Sequence, residues 1–152
     1  MPRSSVPALP TFVWPVRVYY EDTDAGGVVF YANYLKFMER ARTEWLRSLG
    51  YEQDMLRQRD GILFAVRRVT IDYLSPARFN DCLSVTSKLH RVAGASLEFE
   101  QTVLREDDAA CCCRAGVKVA CLNVGTLRPT RLPADLLSKL LPFVSGPAET
   151  LS

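Results

Sequence analysis

Ala32-Asn33-Tyr34-Leu35-Lys36-Phe37-Met38-Glu39-Arg40-Ala41-Arg42-Thr43-Glu44-Trp45-Leu46-Arg47-Ser48-Leu49 carries the clearest helical period in the chain. Tyr34, Met38, Ala41, Trp45 and Leu49 recur at offsets of 0, 4, 7, 11 and 15 and form one apolar stripe, widened by Leu35, Phe37 and Leu46. Glu39 with Arg42, and Glu44 with Arg47, are spaced to pair on the wet side. Asn33 suits the N-cap and Gly50 the stop. A helix of this span is ~27 Å long, enough to cross a small sheet from edge to edge.

Around this helix the signals are those of strands. Residues 13–20 are β-formers broken by Pro15, which suits a strand with the proline near its start, where a missing N–H does least harm. Between strand and helix stands an acidic loop, Glu21-Asp22-Thr23-Asp24-Ala25-Gly26-Gly27, whose glycines permit unusual backbone angles and close approach of another molecule. Downstream, 51–59 reads as a short helical connector, and 62–73, 83–89, 97–104 and 115–124 as strands. Leu97, Phe99, Gln101 and Val103 share one side of theirs. Breaks fall at Ser75-Pro76, Ala93-Gly94 and Glu106-Asp107-Asp108, and 136–144 suits a terminal helix closed by Pro147. No helices separate the later strands, which excludes right-handed parallel crossovers. The expectation is an α+β domain, a long helix wrapped by a five- to six-stranded antiparallel sheet. Its outer face and edge then need covering, which favours an oligomer.

Composition sets the outer bounds. The 152 residues are 48% hydrophobic and 24% charged, enough apolar side chain to offset chain entropy in one domain and too little length for two comfortable cores. Nineteen basic against 17 acidic residues, with no basic run, argue against a nucleic-acid binder. No apolar stretch approaches the ~18 residues that span a bilayer. Residues 1–10 hold one Arg, three Pro and no apolar core, so they do not read as a signal peptide. The expected organisation is a loose arm over 1–11, a domain over 12–145 and a tail over 146–152, in a cytoplasmic protein. The five cysteines, three of them adjacent (Cys111, Cys112, Cys113), form no disulfide framework and read as reduced thiols.

Most constellations of catalysis fail by counting. One histidine, His90, lies inside a strand, and there is no G-x-S-x-G, P-loop, G-x-G-x-x-G or H-E-x-x-H. No CxxC spacing supports a metal site, and strand periodicity places Cys111 and Cys113 on one side with Cys112 opposite. What remains is the junction of the first strand with the long helix. A helix N-terminus presents unpaired N–H groups that suit a developing oxyanion. A carboxylate beside it, Asp22 or Asp24, suits a base on water or a nucleophile. Spacing alone favours the plainer reading, two acids that shape the turn and cap the helix.

The run from Trp14 to Val29, with Tyr19-Tyr20-Glu21-Asp22-Thr23-Asp24-Ala25-Gly26-Gly27-Val28-Val29 at its heart, strongly resembles the signature of the hotdog-fold thioesterases. The likeness continues through Ala32-Asn33-Tyr34 and Phe37-Met38-Glu39-Arg40-Ala41-Arg42-Thr43-Glu44, and returns at Tyr73-Leu74-Ser75-Pro76-Ala77-Arg78. It is most similar to the Tol–Pal-associated acyl-CoA thioesterases, with the 4-hydroxybenzoyl-CoA thioesterases as a more distant branch. The resemblance implies a hotdog fold assembled as a homodimer or homotetramer, with sites between subunits. It implies hydrolysis of an acyl thioester of coenzyme A or acyl carrier protein, with no metal and no cofactor beyond the coenzyme A of the substrate. It gives Asp24 the catalytic carboxylate, the N–H at Tyr31 the polarising contact to the carbonyl, and Gly27, with its neighbour Val28, a place beside the acyl group. Where the Tol–Pal branch usually has histidine, this chain has Tyr31, whose hydroxyl either positions water or thioester, or simply packs. Arg67, Arg78 and Arg91 have the chemistry for coenzyme A phosphates, although each alone reads first as a solvated strand charge. The missing histidine keeps a second reading, a non-catalytic hotdog that binds acyl-CoA or acyl carrier protein in Tol–Pal envelope assembly at the inner membrane.

Overall fold

A computed structural model describes residues 11–144. Five strands form one sheet: β1 (Phe12–Arg17), β2 (Ile62–Tyr73), β3 (Cys82–Ala93), β4 (Ser96–Arg105) and β5 (Cys111–Asn123). Their order is β1-β3-β4-β5-β2, every neighbouring pair antiparallel. The long helix α1 (Asn33–Ser48) packs on the inner face; α2 (Gln53–Met55) runs into a π turn, and α3 (Ala134–Leu140) into a 3-10 turn. This is the α+β arrangement expected, with five strands. The expected arm over 1–11, save Thr11, and the tail over 146–152 lie outside the described residues, as does Pro147.

Amphipathic periods explain the core. Tyr34, Phe37, Met38, Ala41, Trp45 and Leu46 are buried along α1, where they meet the inward sides of β3, β4 and β5. Leu83, Val85 and Leu89 alternate inward, as do Leu97, Phe99 and Val103, and Ala115, Val117 and Val119. Trp45 meets Phe99 edge to face, ring centroids 5.5 Å apart. Leu35 is exposed and Leu49 only partly buried, so the stripe is narrower than its sequence suggests. Gln101 also points inward, fully buried, and its amide nitrogen donates to the Met38 carbonyl (3.1 Å) and to Ser87 Oγ (2.9 Å). Its oxygen accepts from Arg42 at 2.9 Å. Burial of those groups is tolerable because each is paired.

Several local expectations change. β1 ends at Arg17, since the chain turns through a 3-10 turn at Tyr20–Asp22. Pro15 sits in mid-strand, tolerated because β1 is an edge strand. Ala32, not Asn33, is the N-cap, and Asn33 instead donates its side-chain amide to the Asp22 carbonyl. The helix stops where expected, with Gly50 at φ +94°. Glu44 and Arg47 pair, whereas Arg42 turns inward to Gln101 and makes no ion pair with Glu39. Burial pushes the Arg42 guanidinium down, opposed by Glu39. The terminal helix is α3 plus a 3-10 turn at Leu141–Phe143. The cysteine alternation fails: β5 pairs Cys113 with Val103 and Cys111 with Leu104, so Cys112 is a bulge residue, and Cys112 and Cys113 are both buried.

Candidate active site

The loop after β1 gives its two acids different surroundings. Asp22 is buried; its carboxylate accepts the Tyr19 N–H at 2.8 Å, and its carbonyl accepts from the Phe30 N–H (3.0 Å) and the Asn33 amide (2.9 Å). Asp22 therefore does the turn-shaping that spacing alone allowed for both acids. Asp24 is exposed at the tip of a small hairpin closed by the Thr23–Val29 bridge. Its N–H donates to the Val28 carbonyl at 2.9 Å, and its own carbonyl accepts the Gly27 N–H at 3.0 Å. One carboxylate oxygen, Oδ1, accepts the Gly26 N–H at 2.8 Å; Oδ2 has no partner among the described residues. Gly27 adopts φ +81°, a conformation that any side chain strains.

The helix start faces the same loop. Asn33 N–H donates to the Phe30 carbonyl at 2.8 Å and Leu35 N–H to the Ala32 carbonyl at 3.2 Å. The N–H groups of Tyr31 and Ala32 make no hydrogen bond among the described residues, which leaves donors free at the positive end of the α1 dipole. Tyr31 is 62% exposed, its ring tilted on Phe30 (4.8 Å) and edge-on to Tyr73 (5.9 Å), and its carbonyl accepts the Tyr73 hydroxyl at 3.2 Å. The ring thus packs on one side while much of it stays open.

One segment holds hairpin and helix together. Ala77 accepts the Val29 N–H at 2.8 Å and donates its own N–H to the Tyr34 hydroxyl at 3.0 Å, while Arg78 bridges Val28. Burial pushes the Tyr34 phenol up to about 12, so it remains neutral in this role. Tyr73 is also raised, by burial first and then by Cys113 and Tyr31. Burial lifts the thiols of Cys113 to about 12 and Cys121 to about 11, so neither is a ready nucleophile. No group of His, Cys, Asp and Glu among the described residues is arranged to hold a metal ion.

The arginines are not gathered. Arg78 is exposed beside Val28, close to Asp24 in the fold. Arg67 is the exposed, unpaired residue of a bulge in β2, and lies six residues, ~20 Å of strand, from Tyr73. Arg91 lies near the β3–β4 turn, nine residues along β3 from Cys82, with its Nε buried and without a partner. Arg78 and Arg91 therefore stand toward opposite ends of the sheet. Sequence reasoning missed Tyr73, whose part depends on its contact with Tyr31, 42 residues away in the chain; the Tyr73–Arg78 run was legible only as a matching stretch.

Residues 18–140 match the model of the Thioesterase-like superfamily. The chain belongs to that family. It is 45% identical over 125 residues to the acyl-CoA thioesterase YbgC of Haemophilus influenzae, a match that covers 82% of this chain and 90% of that one. A probable thioesterase from Bartonella henselae superposes with a TM-score of 0.77 at 34% identity, over 82% of this chain and 100% of the other. A 1,4-dihydroxy-2-naphthoyl-CoA thioesterase from Synechocystis superposes with a TM-score of 0.80 at 21% identity, over 87% and 96% of the two chains, which bears on the fold alone. The architecture is accordingly the hotdog of this superfamily, with α1 as its filling. Among the described residues, no helix is long and apolar enough to cross a membrane.

Proposed function

We propose that the chain hydrolyses acyl-CoA thioesters, with the Asp24 carboxylate acting on the thioester and the Tyr31 N–H receiving the developing oxyanion. The single observation that carries this reading is the contrast between the two acids. Asp22 is consumed by structure, while Asp24 keeps one carboxylate oxygen free, and the Tyr31 and Ala32 N–H groups just before α1 also make no hydrogen bond among the described residues. Family membership and the 45% identity to a named acyl-CoA thioesterase support the substrate class.

Two routes lead to the same products. Asp24 takes a proton from water as the oxygen of that water attacks the carbonyl carbon, or it attacks the carbon itself to give a mixed anhydride that water then cleaves. In both, the negative charge that gathers on the carbonyl oxygen is met by the Tyr31 N–H, and the C–S bond breaks to release coenzyme A as thiolate. The acyl group lies along the face of α1 that carries Leu35, Glu39 and Arg42. There, a cavity of about 370 Å3 opens against Val66, Val69 and Val117. The family resemblance gives Gly27 and Val28 a place beside the acyl group, and Arg78, which bridges Val28, is the arginine best placed for the coenzyme A phosphates. Arg67 and Arg91 fit that role only from another subunit.

The assembly proposed is a homodimer or homotetramer in which a second copy covers the open edge of β2. That edge is 12 residues long and ends the sheet without a neighbour among the described residues, a condition that soluble proteins seldom leave bare. Acyl carrier protein remains the other carrier of the same thioester, and the setting proposed is cytoplasmic.

The test is thiol release from short aliphatic, long aliphatic and benzoyl-CoA, with the same acyl groups on acyl carrier protein, and sedimentation of the wild type. Turnover of at least one thioester is expected, and the preferred acyl group places the branch. Acyl-CoA bound without turnover on any substrate contradicts the enzyme reading and favours a binding module of envelope assembly.

A further inference from the structure

We propose that Arg105, remote from the reacting atoms, is a positioning residue that sets Asp24 against the start of α1; the proposal rests on the thioesterase reading above. Arg105 closes β4 and makes four side-chain hydrogen bonds to three separate points of the chain. Nε and Nη2 take the two carboxylate oxygens of Asp108 at 3.1 and 2.9 Å, a forked pairing that fixes the plane of the guanidinium. Nη1 then reaches Ser75 Oγ at 3.0 Å and the Pro76 carbonyl. Asp108 is itself held, since its Oδ1 also accepts the Ala110 N–H at 3.1 Å.

The target of this clamp is the segment that joins the two halves of the site. Leu74 and Ser75 both give their N–H groups to the Cys112 carbonyl, and Pro76 has no N–H to give. Arg105 therefore anchors Pro76 from its carbonyl side. The next residue, fully buried Ala77, is bonded to the Val29 N–H of the hairpin and to the Tyr34 hydroxyl on the first turn of α1. A displacement of Pro76 is passed to both partners at once, and so to the gap between the Asp24 carboxylate and the Tyr31 N–H. Displacements near 1 Å of this kind cost about 100-fold in rate.

Arg105→Met, Arg105→Lys and wild type are compared by steady-state turnover of the preferred acyl-CoA and by amide hydrogen exchange resolved by residue. For Arg105→Met, kcat falls about 10- to 100-fold while KM stays within about threefold. The Val29 amide exchanges about tenfold faster or more, with the Val85 and Phe99 amides of the central strands unchanged. Lysine, a point charge without the fork, restores only part of kcat. Unchanged Val29 exchange overturns the clamp, as does a kcat within twofold of wild type, or a loss that tracks faster exchange in every strand. A Val29 response in a protein whose wild type turns over no acyl-CoA overturns the thioesterase reading and leaves the clamp standing.

Discussion

The Asn33 side-chain amide donates to the Asp22 carbonyl at 2.9 Å, across 11 residues of chain. Asp22 in turn holds the Tyr19 N–H on its carboxylate. These two residues tie the end of the first strand, the acidic loop and the start of the helix into one unit, and leave the neighbouring acid, Asp24, outside that network.

The two acids should therefore respond in opposite ways to truncation. Asp22→Ala leaves the Tyr19 N–H unpaired beside a buried site and is expected to cost about 1–3 kcal/mol of stability by urea unfolding. Asp24→Ala, exposed and bonded only to the Gly26 N–H, is expected to change stability by no more than about 0.5 kcal/mol. Equal costs would contradict the division of labour.

Gln101 links helix to sheet. Gln101→Leu keeps the volume but strips Ser87 Oγ and the buried side of Arg42 of their Gln101 partner and removes the second bond to the Met38 carbonyl. The expected loss is about 2–4 kcal/mol in the urea-derived unfolding free energy, and Arg42→Met in the same background should recover part of it because the stranded cation is gone. Stability equal to wild type in Gln101→Leu would show that the network is not a stabilising contact.

Much of this was legible in the sequence, and the remainder has physical reasons. The α1 stripe and the alternation of Leu97, Phe99, Gln101 and Val103 are local periods, and both recur in the fold. Asn33 was misread because capping depends on where the preceding turn ends, and here the 3-10 turn at Tyr20–Asp22 brings a carbonyl to its side chain. The cysteine alternation failed at a bulge, which inserts a residue and reverses the phase. Arg42 looked solvated because Glu39 stands one turn before it; only the register of β4 places Gln101 beneath it. The contacts of Arg105 and Ala77 join segments far apart in the chain, which no period encodes.

Thiol accessibility follows burial. Cys82 and Cys111 are partly exposed, while Cys112, Cys113 and Cys121 are buried and raised by burial. A thiol-reactive dye at pH 8 is expected to label the first pair in the folded protein and the other three only after unfolding, resolved by peptide mass mapping. Rapid native labelling of Cys113 would contradict its burial in the core.

The Arg105 fork, followed by the Ala110 N–H, holds the Asp108 carboxyl down at about 2. Its folded value lies below the unfolded value of ~3.9, so its stabilising effect is full above that value and is lost as the pH falls toward 2. The stability gap between wild type and Asp108→Asn is therefore expected to hold from neutral pH to ~4.5 and to close between ~4 and 2. A gap unchanged at pH 2.5 would exclude the ion pair as its source.

The most direct measurement is kcat for Asp24→Asn beside wild type, on the preferred acyl-CoA, with urea midpoints recorded for both. Asparagine keeps an oxygen for the Gly26 N–H but carries no charge to act on water or carbonyl carbon. The account predicts a fall in kcat of about 1,000-fold or more at an unchanged midpoint. A variant that is folded and turns over at the wild-type rate would contradict it.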